Sequence, residues 1–185
     1  MTVSTNKLTD TTGIQLQDAF VVIVKTEWNA ANVDVLEAGC IKVLDANNVK
    51  HKTIIVPGAF ELPFAVNKYW QNLVVLAEDD LLDEEFLADI EAVEKFKPKK
   101  IIFPNAFIAL GCVIKGDTPH FDYVCAGVTQ GIMQLNTSLP VPTIYGVLTV
   151  NNQNQVEERM GGVHGHKGEE AAATAIKMIS MVDGF

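Results

Sequence analysis

His120 stands in the run Lys115-Gly116-Asp117-Thr118-Pro119-His120-Phe121-Asp122-Tyr123, directly after the apolar stretch at residues 107–114. Gly116 permits a tight turn, Thr118 is a capping residue, and Pro119 falls at the first helical position, where its missing N–H costs nothing. The free N–H groups of such a turn make a ready anion site. His120 then lies in the first helical turn beside that anion. An imidazole in that position is a candidate to take up a proton from a bound reactant. A His on a helix is as often structural as catalytic, and the adjoining Gly-Asp-Thr-Pro turn is what favours proton transfer. Arg159 is the only arginine, since 13 of the 14 basic residues are lysines. Its guanidinium suits a phosphate better than an ammonium does, although a lone Arg can also be a surface accident.

Two further runs carry polar or aromatic groups at places where a ligand could lie. Trp28-Asn29 can lay an indole across a pocket floor, with Asn29 as a helix cap; a half-buried packing Trp is the commoner role. In Pro57-Gly58-Ala59-Phe60-Glu61-Leu62-Pro63, Gly58 and Ala59 are small enough for a ligand to approach the main chain. Glu61 can accept hydrogen bonds from hydroxyls, or simply answer a helix dipole. Residues 161–168 (GGVHGHKG) are flexible enough to bend a helix or wrap a ligand. His164 and His166 make a weak metal reading, because catalytic zinc sites need three protein ligands. Neither a Gly-x-x-x-x-Gly-Lys-Ser/Thr loop nor a Gly-x-Gly-x-x-Gly motif after the first strand occurs, so ATP and dinucleotide readings lose support.

These residues need elements to hold them. Residues 18–25 (DAFVVIVK), 53–56 (TIIV), 107–114 (FIALGCVI) and 143–150 (TIYGVLTV) are short, apolar and rich in β-branched side chains. They read as parallel strands covered on both faces. Helical spacing follows over residues 31–44, with Val35, Cys40 and Val43 near one stripe. A helix starts near Glu61. Residues 121–135 carry Val124, Val128, Ile132 and Leu135, and residues 171–182 carry Ile176, Ile179 and Val182. Four strand–helix alternations predict one parallel sheet flanked by helices, with ligands bound beyond the strands' carboxyl ends.

Residues 71–105 break the rhythm, because a few residues would suffice there. They hold nine acids and four lysines, a net −5, which leaves −4 of the total −9 for the remainder. Leu82, Phe86, Ile90 and Val93 predict an amphipathic helix capped by Asp80 and stopped by Pro98. A solvated acidic face packed on the body is the simpler reading; a docking arm is the functional one.

Composition bounds the function. The 185 residues suit a single domain spanning 1–185, with a polar segment at 1–17. A net charge of −9 argues against nucleic acid or an anionic membrane surface as the main partner. Residues 1–19 lack the apolar stretch of a signal peptide, and no run approaches a bilayer span. Cys40, Cys112 and Cys125 read as small buried side chains in a reducing compartment. A cytoplasmic α/β protein is expected.

Taken together, Trp28-Asn29, the Pro57–Pro63 run, Gly111-Cys112-Val113-Ile114-Lys115-Gly116-Asp117-Thr118-Pro119-His120-Phe121-Asp122-Tyr123-Val124, Tyr145-Gly146-Val147-Leu148-Thr149 and Glu158-Arg159 closely resemble the 6,7-dimethyl-8-ribityllumazine synthase family. The resemblance covers about residues 19–181 apart from 71–105. It implies a three-layer flavodoxin-like fold with a four-stranded parallel sheet and an inserted acidic helical segment. It also implies the penultimate step of riboflavin biosynthesis: 5-amino-6-(D-ribitylamino)uracil condenses with 3,4-dihydroxy-2-butanone 4-phosphate, without cofactor or metal, releasing phosphate and water.

By this resemblance Trp28 stacks on the pyrimidine, with Asn29 beside it. Main-chain groups of Ala59, Phe60 and Glu61 and of Cys112, Val113 and Ile114 hold the ring edge and ribityl chain, the Glu61 carboxylate taking ribityl hydroxyls. Gly116, Asp117 and Thr118 offer N–H groups to the phosphate, Arg159 closes on it, and His120 carries the proton. Tyr145 matches an aromatic contributed across a subunit boundary, and Lys167 a lysine near the ligand. The family assembles as pentamers or shells of sixty subunits with sites at subunit interfaces, and riboflavin synthase is a candidate partner. Lys115 replaces the arginine common before the Gly, and His166 stands where Asn often precedes Lys-Gly. The alternatives are a catalytically silent lumazine- or flavin-binding or shell-forming relative and, from fold alone, a flavodoxin-like phosphate-ligand module.

Overall fold

The computed structural model describes residues 7–87 and 101–184. Four strands, β1 (Phe20–Thr26), β2 (Lys50–Val56), β3 (Ala106–Ile114) and β4 (Thr143–Val150), form one sheet in the order β2-β1-β3-β4. Every neighbouring pair is parallel, and the β3–β4 register runs unbroken from Phe107 opposite Thr143 to Ile114 opposite Val150. The alternation of side chains along a strand then supplies two cores. Val21 and Ile23 of β1 and Ile108 and Leu110 of β3 face α1 (Ala30–Ala46) and α5 (Lys167–Val182). Val22, Val24, Phe107 and Ala109 face α2 (Leu62–Leu87) and α3 (His120–Ser138). Each fully buried Ile or Leu contributes roughly 1.5–3 kcal/mol, which is why these runs are apolar on both faces.

Most expected elements form, within the usual drift at their ends. β1 begins at Phe20 rather than Asp18, and β2 reaches back to Lys50. The α1 stripe is out of phase with the expectation. Val33, Leu36, Cys40 and Leu44 are buried, Val43 is partly buried, and Val35 is exposed, because the helix begins at Ala30 and presents the 33/36/40/44 row to the sheet. In α3, Val128, Ile132 and Leu135 are buried with Val124 packed beside them. In α5, Ile176 and Ile179 are buried but Val182 is exposed in the last turn.

α2 runs without a break from Leu62 to Leu87. Asp80 therefore falls inside a helix rather than at the start of one. Ile90, Val93 and Pro98 lie outside the described residues. Of the N-terminal segment, Ile14 and Leu16 pack on the α1–α5 core, and Lys177 Nζ donates to the carbonyls of Lys7 and Leu8 at 2.8 and 2.9 Å. A short helix, α4 (Gln153–Glu158), and a hairpin, β5 (Met160–Gly162) with β6 (Gly165–His166), join β4 to α5. Among the described residues no helix is long and apolar enough to cross a membrane.

Candidate active site

The carboxyl ends of β2, β1 and β3 lie side by side, and the chain reverses its direction across the sheet between β1 and β3. A ligand crevice belongs at such a switch point. There the structure has a cleft of about 640 Å³ lined by Trp28, Ala59, Phe60, Glu61, Cys112, Val113, Ile114, Gly116, Thr118 and His120. Thr26, Phe121, Tyr123 and Val124 also line it. Residue type alone does not single these four out; they enter because they flank the strand ends and the first turn of α3.

The loop after β1 is tied to both neighbouring strands. Glu27 N donates to the Val56 carbonyl at 2.8 Å and Trp28 N to the Pro57 carbonyl at 3.0 Å. Thr26 Oγ1 donates to the Trp28 carbonyl at 3.1 Å. The backbone of Trp28 is thus fixed while the residue is 73% exposed, so it is not half-buried within its own chain. Asn29 occupies the N-cap position of α1, yet its side chain does not cap the helix. Its backbone is left-handed (φ 59°), and its Nδ2 donates to the Cys112 carbonyl at 2.8 Å, fastening the β1 exit to the β3 exit. The left-handed backbone explains the correction: it points the amide away from the helix's first turn and toward β3.

Ala59–Glu61 is a 3-10 turn that buries Ala59 and leaves Phe60 and Glu61 exposed at the cleft. Beyond β3, Lys115 N extends the ladder to the Val150 carbonyl at 2.8 Å, after which residues 115–120 are exposed. α3 starts at His120 with Pro119 as its cap position and no side-chain cap. Thr118 therefore does not cap, and Pro119 lies one place earlier than expected, with backbone angles already helical (φ −62°, ψ −6°). The first turn of α3 thus has no side-chain cap from its N-cap residue, and such a helix start is open to an anion. Cys112 is buried, and burial pushes its thiol up to about 11, which makes it unreactive near neutrality.

Charge divides the remaining candidates. Glu61 and His120 are the ionisable groups of chemical interest in the cleft, and among the described residues no lysine or arginine lines it. Arg159 and Lys167 line a second pocket, at edge strand β4, with Thr149, Gln155, Glu158 and His164. The two pockets share no lining residue. Arg159 follows α4, and Lys167 follows the β5–β6 hairpin, whose turn needs the positive φ of Gly161 (109°) and Gly165 (81°). Lys167 N donates to the Arg159 carbonyl at 2.8 Å, so the main chain clasps the two cations together.

Arg159 Nη1 and Nη2 donate to both carboxylate oxygens of Glu170, at 2.8 and 2.6 Å, and Nη1 also to the His164 carbonyl. Sequence reasoning missed Glu170, since an acid in a helix's first turn is already explained by the dipole. Burial lowers the Lys167 ammonium from its ordinary value; Glu170 opposes this and Arg159 adds to it. Tyr145 is half-buried on β4, where its hydroxyl accepts from Thr129 Oγ1 at 3.2 Å. Asp117 is exposed in the loop before α3 and does not line the cleft.

The sequence matches the family model described as 6,7-dimethyl-8-ribityllumazine synthase over residues 18–80 and 89–183. Only residues 81–88 lie between the two matched stretches, a much shorter interval than 71–105. A 6,7-dimethyl-8-ribityllumazine synthase of Bacteroides fragilis is 44% identical over 163 residues, covering 86% of this chain and 94% of that protein. Proteins of the same name from Parabacteroides distasonis and Porphyromonas gingivalis are each 42% identical, covering 85% and 89% of this chain and 82% and 86% of their own.

Proposed function

We propose a division of labour among the residues of this chain, which belongs to the 6,7-dimethyl-8-ribityllumazine synthase family and condenses 5-amino-6-(D-ribitylamino)uracil with 3,4-dihydroxy-2-butanone 4-phosphate in riboflavin biosynthesis. The pyrimidine stacks on Trp28. Its ring edge meets main-chain groups at Ala59–Glu61 and Val113–Ile114, and the ribityl hydroxyls donate to the Glu61 carboxylate. Asn29 contributes by holding the Cys112 carbonyl rather than by a free amide. As the pyrimidine's amine attacks the ketone it must lose a proton, and His120 is placed to take it. The phosphate lies on the N–H groups of the Gly116–Thr118 turn. Much of the remaining acceleration is alignment of two reactants, worth up to roughly 7–11 kcal/mol where geometry is good.

The observation that carries this reading is the separation of charge. Among the described residues, the cleft that would take a flat polar ring and a proton transfer is lined by no fixed cation for a phosphate, whereas Arg159 and Lys167 sit together in a pocket lined by no stacking aromatic. A second copy of the chain, presenting its Arg159, Lys167 and Tyr145 to this cleft, completes the site. The exposed apolar rim (Trp28, Phe60, Phe64, Tyr123) is the kind of surface such a copy would cover. We therefore read the protein as a single-domain homo-oligomer of the cytoplasm with shared sites.

Steady-state kinetics with each substrate varied in turn tests the roles. Arg159→Ala is expected to raise the KM for the butanone phosphate by about tenfold or more and that for the pyrimidine little, since it removes charge-assisted bonds to phosphate alone. Equal effects on both would count against it. His120→Ala is expected to lower kcat by about 10²-fold or more, the usual scale of acid–base catalysis; an unchanged kcat removes His120 as proton carrier.

A further inference from the structure

We infer that one turn of α1, at Leu36 and Gly39, is a seat that fixes the Lys167–Arg159 pair, with Gly39 and His166 as its positioning residues. The inference rests on the reading of that pair as the phosphate-binding groups. Both chain neighbours of Lys167 are lodged against this turn. On one side, the His166 imidazole fills the space beside Gly39, so that a Cβ there would overlap the ring, with Nδ1 only 2.6 Å away. On the other side, Gly168 comes so close to α1 that a Cβ would overlap the Leu36 carbonyl. Gly39 and Gly168 are both buried. Leu36 and Gly39 are three apart and share a helix face, so the two contacts straddle Lys167 on a single rigid surface.

The glycine itself is informative. Gly39 lies in the middle of a 17-residue helix, where glycine is unfavourable relative to alanine. The imidazole packed against it supplies the reason for its presence. His166 is held in turn: its Nδ1 accepts from Glu169 N at 3.4 Å at the start of α5, and its backbone pairs with Met160 across the β5–β6 hairpin. Beside it, exposed Lys42 of α1 pairs with Glu169 at 2.9 Å. Because Lys167 N bonds the Arg159 carbonyl, displacing residues 166–168 displaces Arg159 as well. A shift of a fraction of an ångström would misplace a phosphate against the reacting carbon, an effect that alignment-dependent catalysis feels strongly.

The test is Gly39→Ala in the full-length assembled protein. We expect the KM for 3,4-dihydroxy-2-butanone 4-phosphate to rise about tenfold while the KM for the pyrimidine stays within about twofold. Combining it with His166→Asn, which shortens the plug but keeps an acceptor for Glu169 N, is expected to return the phosphate KM to within about threefold of wild type. An unchanged phosphate KM in Gly39→Ala, a uniform rise in both KM values, or a double variant no better than the single one overturns the seat. If Gly39→Ala does not fold, His166→Ala decides: a rise of about threefold in the phosphate KM alone, with unchanged circular dichroism, supports the seat, and no rise overturns it. Arg159→Ala is measured alongside. No effect there removes the phosphate reading, and the seat's purpose with it. An effect there without one in Gly39→Ala removes the seat alone.

Discussion

Arg159 does not wait with an empty fork. Its two terminal nitrogens already serve Glu170, whose side chain is only 13% exposed. Under the phosphate role proposed for Arg159, an arriving phosphate must either displace that carboxylate or share the guanidinium with it. The exchange limits how tightly the product phosphate is held, because Glu170 competes for the same donors when phosphate leaves. Lys167 stands beside this pair, lowered from its ordinary value by burial. The lowered value sets a sign. As pH rises through it, Lys167 loses its charge earlier than an exposed lysine would, and affinity for the phosphate falls. We expect the KM for the butanone phosphate to climb on the alkaline side below the ordinary lysine range. The climb should flatten in Lys167→Arg, whose guanidinium stays charged. A wild-type profile that matches Lys167→Arg would show that the ammonium does not meet the phosphate. Arg159 stands out in the sequence by residue type, as the only arginine, and Lys167 only through the family resemblance. Glu170 does not stand out, because nothing in the spacing says that the hairpin folds residue 159 back over the start of α5.

At the scale of elements, the strand ends position the site through a few main-chain ties and through side-chain bonds from Thr26 and Asn29; of these two, Asn29 links the β1 exit to β3. Replacing it separates two effects. Asn29→Gly keeps the left-handed backbone but loses the bond to the Cys112 carbonyl, a loss of about 1 kcal/mol. Asn29→Ala loses the bond and adds the strain of a left-handed alanine, about 1 kcal/mol more. Urea midpoints at matched protein concentration should fall in the order wild type, Gly, Ala; a Gly variant less stable than Ala would contradict the backbone argument. β1, β3 and β4 were readable because they are largely buried on both faces, which leaves an apolar run, whereas edge strand β2 buries only Val56 and its apolar run marked just its last four residues. The phase of α1 was not readable. Val35 and Leu36 are equally apolar, and only the way α1 lies on the sheet decides that Leu36 is buried and Val35 exposed. Asp80 failed as a cap for a related reason. A capping residue is also tolerated inside a helix, so its presence marks a boundary only where the apolar row before it stops, and α2 continues.

For the whole molecule, a strand-by-strand reading puts His120 and Arg159 each soon after a strand, where a parallel sheet binds ligands, and only the family resemblance implies that sites lie between subunits. The fold puts them in separate pockets, one at β2-β1-β3 and one at the free edge of β4. Residue order cannot reveal this, because what decides it is which pocket meets which neighbour. The acidic stretch is also smaller as a departure than its charge suggests: the family match resumes at residue 89, and 81–87 are simply the end of α2. A head-to-tail assembly makes a distinctive demand on activity. If each site takes its His120 from one subunit and its Arg159 from the next, His120→Ala and Arg159→Ala chains are each impaired alone. Unfolded and reassembled together, they must generate some sites with both residues intact. With random mixing of equal amounts, about one quarter of the interfaces pair an intact His120 with an intact Arg159, and about that fraction of wild-type activity should return. A site built within one chain gives no recovery at any mixing ratio. Native mass measurement of the same mixture supplies the control, since recovery must appear only in species containing both chains. An active monomer would end the shared-site reading, whatever the kinetics of the single variants.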